Sequence, residues 1–109
     1  MGSEQAEPRV SFRRTGGLFA GSVLATSVSA ADLDSSARES LQRCLEQADL
    51  GALAERSPIT GPGADMYQYD IVLERGGTRS QVVVSQTVVP DNLHPLIEWL
   101  EHHASGGGG

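Results

Sequence analysis

His94, Glu98 and His102 stand four positions apart, which places them along one face of a helix. Imidazole and carboxylate at helical spacing are the ingredients of a zinc site. In such sites, however, one turn separates the two histidines, whereas here two turns do, with Glu98 between them. His94 lies beside Pro95 in a first turn, and His102 and His103 fall at a helix end. There an imidazolium interacts favourably with the carbonyl-rich terminus without any metal. No metal ligand is assigned, and the two-histidine helix of zinc proteases is missing. No Gly-x-Ser-x-Gly elbow and no phosphate-binding loop occurs. Gly61-Pro62-Gly63 and Gly76-Gly77 read as turns. The 14 acidic residues are spread along the chain, so no carboxylate acid-base pair stands out. Tyr67 and Tyr69 alternate on a strand, a pattern of core packing before it is one of a ligand platform. Cys44 is the only cysteine, which excludes an internal disulfide and a cysteine zinc site. It reads as a small buried apolar residue, with a reactive thiol as the alternative. The chain is therefore expected to be no enzyme, with no catalytic residue, metal or cofactor.

Composition narrows the partners. Net charge is −6, and all eight basic residues are arginines. An acidic chain without a basic stripe is a poor binder of nucleic acid or of anionic membranes. No run approaches the ~20 apolar residues of a membrane span. A chain of 109 residues suits one domain. We expect a polar tail over 1–8, a folded domain over 9–104, and a glycine tail over 105–109.

The run from Arg13-Arg14 to Val28-Ser29-Ala30 has the outline of a twin-arginine export signal. Against it, the preceding residues are acidic, and Ser22, Thr26, Ser27 and Ser29 dilute the apolar stretch. A cytoplasmic location is expected, with export through such a signal as the alternative.

The elements that must position these residues follow from periodicity. Val10 and Phe12 alternate with Ser11 and Arg13, the signature of a half-buried strand. Thr15-Gly16-Gly17 signals a turn, and a second strand runs over about 19–28. Asp34-Ser35-Ser36 opens a helix, with Ser36 and Glu39 at capping-box spacing. Ala37, Leu41, Cys44, Leu45 and Ala48 form its apolar stripe, ending before Asp49. A short helical turn or tight coil occupies 50–56, and a loop with two prolines and two glycines occupies 57–65. A third strand over about 66–74 carries Tyr67, Tyr69, Ile71 and Leu73 on one face. Arg75-Gly76-Gly77-Thr78 turns it into a fourth strand. Pro90-Asp91-Asn92 opens a last helix striped with Leu93, Leu96, Ile97 and Leu100, with Trp99 beside the stripe. The fold class is α+β, order ββαββα: two hairpins joined as a four-stranded antiparallel sheet with two helices on one face.

Val10-x-Phe12-x-Arg14-Thr-Gly-Gly-Leu-Phe-Ala-Gly21 and Gly63-Ala-Asp-Met-Tyr-Gln-Tyr-Asp-Ile-Val-Leu-Glu-Arg-Gly-Gly77 carry a resemblance. Together with Ala48-Asp49-Leu50, Val89-Pro90 and the final leucine stripe, they resemble the emfourin family over about residues 9–103. The resemblance implies an inhibitor of thermolysin-like zinc metalloproteases, a monomer when free, whose helix-and-sheet body is a scaffold. The competing class is a non-catalytic protein-interaction or regulatory domain using the polar sheet face.

The family pattern fixes no inhibitory contacts, so these are argued physically. Thermolysin-like enzymes favour a bulky apolar residue just after the scissile bond. Gly16-Gly17-Leu18-Phe19 offers one at a hairpin tip, where preorganisation lowers the ordering cost of binding. Leu18 and Phe19 either fill that pocket or turn inward and cap the core. The proline-containing loop is a second candidate, with Ile59 as a protruding residue and Asp65 near a metal.

Overall fold

The computed structural model of the chain describes residues 8–16, 23–61 and 66–106. Strand β1 (Arg9–Gly16) and strand β2 (Val23–Ser29) form the first hairpin. Helix α1 (Ser35–Ala48) and the short helix α2 (Leu50–Arg56) follow. Strands β3 (Tyr67–Arg75) and β4 (Thr78–Ser85) form the second hairpin, and helix α3 (His94–Gly106) closes the chain.

The strands make one antiparallel sheet in the order β2-β1-β3-β4. Period-two alternation sorts their side chains. Val10, Phe12, Val28, Tyr69, Ile71, Val82 and Val84 are all buried on one face. Phe12 lies opposite Thr26 on one side and Ile71 on the other, and Ile71 lies opposite Val82. This row of bulky residues is the floor of the core. Leu41, Leu45, Leu50, Leu53, Leu96 and Leu100 descend onto it from the helices, and Leu93 from the turn before α3. Helix α2 packs on β4, α3 on β2, and α1 on α3. The expected four-stranded sheet with helices on one face is thus the observed one. The segment read as a helical turn or tight coil is helix α2.

Local chemistry sets the element ends. Asp34 caps α1, its carboxylate accepting from the Ala37 amide at 2.8 Å. The cap expected at Ser36 is therefore displaced by two residues, and Ser36 lies inside the first turn. A carboxylate at the positive end of a helix is a stronger acceptor than a hydroxyl. Asp49 takes a left-handed conformation, φ 52°, ends α1, and lets the chain start α2 at once. The Asn92 side chain donates to the carbonyls of Gln47 and Ala48, satisfying the end of α1 from across the fold. Gly76 and Gly77 have φ 56° and 85°, the pair of positive angles of a two-residue hairpin turn. Helix α3 starts at His94 with Pro95 in its first turn, and runs past His103 to Gly106.

The two sheet edges differ. The chain leaving α2 covers the Val83–Ser85 end of the β4 edge. The Ile59 amide donates to the Val83 carbonyl at 2.8 Å, the Ser85 amide to the Ile59 carbonyl at 2.9 Å, and the Val83 amide to the Ser57 hydroxyl. The edge of β2 has no such cover among the described residues.

Candidate functional site

The end of β1 and the start of β3 meet at the same end of the sheet, because Gly16 pairs with Tyr67. Gly16 has φ 92°, and a Cβ there would stand 2.7 Å from the Met66 carbonyl oxygen. Only glycine suits both demands: a backbone angle that L side chains rarely adopt, and a touching main chain. Gly17, Leu18 and Phe19, read as the projecting tip, and Asp65, read as the metal-approaching residue, lie outside the described residues. Met66, which directly follows the loop, and Gly16, which directly precedes the tip, are in contact. The structure thus brings the flanks of the two candidate segments together. Ile59 is half-buried, packs against the core, and is hydrogen-bonded to β4 through both backbone groups.

A polar cluster supports this end of the sheet from the core side. By alternation from Val10 and Phe12, position 14 faces the helices, yet it carries an arginine. Arg14 donates to the Glu101 carboxylate of α3 at 2.8 Å, with both side chains about three-quarters buried. Its guanidinium also lies 4.4 Å from the centre of the Tyr67 ring. Tyr69, next along the same face and stacked against Phe12 at 6.0 Å, is buried. Burial pushes its phenol above the usual tyrosine range, and the Glu101 charge and a hydrogen bond to it push the same way. Arg14 pulls back against both. The cluster ties β1, β3 and α3 together two residues before the tip begins.

The sequence held a signal for half of this cluster. An arginine stands where the Val10–Phe12 alternation asks for a third apolar residue. Nothing in the sequence pointed to Glu101 as its partner, since the two are 87 positions apart.

The remaining candidates have plain surroundings. His94, Glu98 and His102 are exposed, and among the described residues no cluster of histidine, cysteine or acidic side chains could hold a metal. His103 stacks on the half-buried Trp99 at 5.2 Å with the rings nearly parallel. Cys44 is half-buried rather than buried, and packs against the core. Desolvation raises its thiol above the ordinary value, partly offset by Arg43. A raised thiol is less nucleophilic at neutral pH, which fits a packing role. No described helix is long and apolar enough to cross a membrane.

The outer sheet face carries a broad, open depression of about 460 Å³. Ser11, Arg13, Ala25, Ser27, Val72 and Gln81 are among its lining residues. It holds no converging set of buried polar groups that would suit a small-molecule reaction.

Comparison with known proteins gives a family. The model described as Emfourin matches residues 12–101. A solved structure, "Emfourin (M4in) from Serratia proteamaculans, M4 family peptidase inhibitor", is similar at 22% identity. The match covers 87% of this chain and 88% of that one, with a TM-score of 0.45. The comparison with curated proteins finds no match.

Proposed function

Since the chain belongs to the emfourin family, we propose that it is a protein inhibitor of thermolysin-like zinc metalloproteases that acts by blocking the active-site cleft. The single observation that carries this reading is the family match over residues 12–101, which takes in β2 to β4, the first two helices, and most of β1 and α3. The family is one of inhibitors, which agrees with a non-enzyme.

The contact region of this reading is the tip after Gly16, with Leu18 or Phe19 entering the apolar pocket beside the catalytic zinc of the protease. The protease supplies the metal, and this chain supplies the plug. Support comes from the base of the tip. Gly16 is held against Met66, and Arg14 is held by Glu101 and Tyr67. A segment mounted on a fixed base loses less freedom on binding, so more of its contact energy appears as affinity. Asp65 belongs to the neighbouring loop and is a secondary contact in the same reading, whereas Ile59, expected to protrude, packs against the core and on β4 instead.

Titration of the chain into thermolysin with a peptide substrate tests the function. Stoichiometric loss of activity is expected, and full activity at a large excess of the chain refutes inhibition of thermolysin. Leu18→Ala and Phe19→Ala test the location. If both variants fold and both inhibit as well as the parent chain, the tip is not the plug.

A further inference from the structure

The two edges of the sheet are treated differently, and the open one has a definite chemistry. The Ala30 amide donates to the Pro8 carbonyl at 2.9 Å, which makes these two residues a hydrogen-bonded pair. In an antiparallel ladder such pairs alternate along the strands. The register from Arg9↔Ser29 to Thr15↔Val23 runs without a bulge. It follows that Leu24, Thr26 and Val28 turn their N–H and C=O groups to β1. Ala25, Ser27 and Ser29 turn theirs outward. The Ser29 carbonyl opens the single helical turn Ala30–Asp32. No element supplies the other outward groups a partner among the described residues.

Natural sheets blunt such an edge with charge, proline or a bulge. The β2 sequence Val23-Leu-Ala-Thr-Ser-Val-Ser29 has no charge and no proline, and its register has no bulge. The β4 edge, by contrast, is covered at Val83 and Ser85 by Ser57 and Ile59, and its remaining stretch carries the charge of Arg79.

The residues whose backbone points outward, Ala25, Ser27 and Ser29, also have their side chains on the outer sheet face. All three are small. Behind them on β1, at the paired positions, stand Arg13 opposite Ala25 and Arg9 opposite Ser29. Both arginines are exposed, and neither has an ion-pair or hydrogen-bond partner among the described residues. The same face carries carboxylates too, since Asp70 stands opposite Arg13 and Glu74 opposite Arg9 on β3. Asp70, however, accepts from Gln81, and Glu74 lies 3.9 Å from Arg79, which leaves the two β1 guanidinium groups for a partner. Strands in a sheet lie about 4.8 Å apart, so a strand added to β2 would hold its outward side chains about 10 Å from β1. Across the low ridge of Ala25, Ser27 and Ser29, an arginine and a carboxylate side chain can close that gap between them. The inner side of the added strand would continue the row of Leu24, Thr26 and Val28.

We propose that β2 is a strand-addition site for an extended acidic segment of a partner protein, in which carboxylates alternate with apolar residues. Backbone hydrogen bonds with Ala25, Ser27 and the Ser29 amide supply affinity, Arg9 and Arg13 select the carboxylates, and the half-buried Leu24 and Thr26 meet the apolar alternates. The inference does not depend on protease inhibition, and its readout needs no protease.

The test uses the full chain, isotope-labelled, titrated with acetyl-Glu-Val-Glu-Val-Glu-amide and with the same peptide carrying lysine for glutamate. The glutamate peptide is expected to shift the amides of Ala25, Ser27 and Ser29 and protect them from exchange. Binding should weaken with added salt, since the charged contacts are exposed. The double variant Arg9→Ser with Arg13→Ser, which alters only exposed positions, should keep the spectrum of the fold and bind about tenfold more weakly. Three results overturn the proposal: shifts confined to the helices or β4, equal binding of the lysine peptide, or unchanged affinity in the double variant. Self-association through the same amides in the absence of peptide overturns it as well, because a second copy of β2 brings no carboxylate.

Discussion

The two hairpins solve the same problem with different means. The β3–β4 hairpin is closed by local chemistry. Gly76 and Gly77 make the turn, and open space surrounds both. The β1–β2 hairpin is held at its base by partners distant in sequence. Gly16 touches Met66, and Arg14 reaches Glu101 on the last helix. A hairpin that depends only on its own turn tolerates change at the tip. One anchored to the rest of the fold transmits changes at its base. Each of the following measurements tests that difference.

The largest effect belongs to the residue that joins the two hairpins. Phe12 lies between Thr26 and Ile71 and is almost wholly buried. Phe12→Ala should cost about 3–5 kcal/mol in urea unfolding. A much smaller loss would mean that the hairpins are less tightly coupled than the shared core indicates.

The glycines come next. Gly16→Ala combines a positive φ with a collision against the Met66 carbonyl, and should cost about 2–4 kcal/mol. Gly77→Ala meets the angle without the collision, and should cost about 1–2 kcal/mol. Equal losses in thermal unfolding would remove the distinction between the two turns.

Ion pairs give a smaller contrast. Arg14→Met should destabilise by about 1 kcal/mol, because its bond to Glu101 is short and partly shielded from water. The Arg79–Glu74 contact is 3.9 Å long, and more than half of each side chain is exposed. Arg79→Met should leave the unfolding midpoint unchanged. In an inhibition assay, Arg14→Met should also weaken binding more than Arg79→Met does, if the tip is the plug.

The smallest signal is a pH slope. The phenol of Tyr69 is raised above its usual value, first by burial and then by Glu101. Its neutral form is therefore the one the fold prefers. The stability it contributes is fully present below the unfolded value of about 10 and is lost as pH rises through the folded one. Stability measured by urea unfolding should fall across this alkaline range, and Tyr69→Phe should flatten that fall.

Much of this architecture was legible as pattern. The alternation of Tyr67, Tyr69, Ile71 and Leu73, the Gly76-Gly77 turn, and the stripes of α1 and α3 each depend on neighbours within a few positions. Periods of two and 3.6 are properties of the backbone itself, so sequence reveals them. The last turn of α3 and the cap of α1 were less legible, because several adjacent residues compete for each role. Asp34 and Ser36 both suit a cap, and the structure uses the stronger acceptor, the Asp34 carboxylate.

By itself, then, the sequence determined the hairpins, the helices, the fold class and the family likeness, since local periodicity and short motifs carry all four. Tertiary structure alone decided which arginine is paired and which is free. Arg13 and Arg14 are adjacent in sequence, yet alternation turns one to the outer face and the other to Glu101. It also decided that β2 is an uncovered edge among the described residues, while Ile59 covers one end of β4. Strand order and edge cover are relations between segments far apart in the chain, and composition or spacing within any one segment does not encode them.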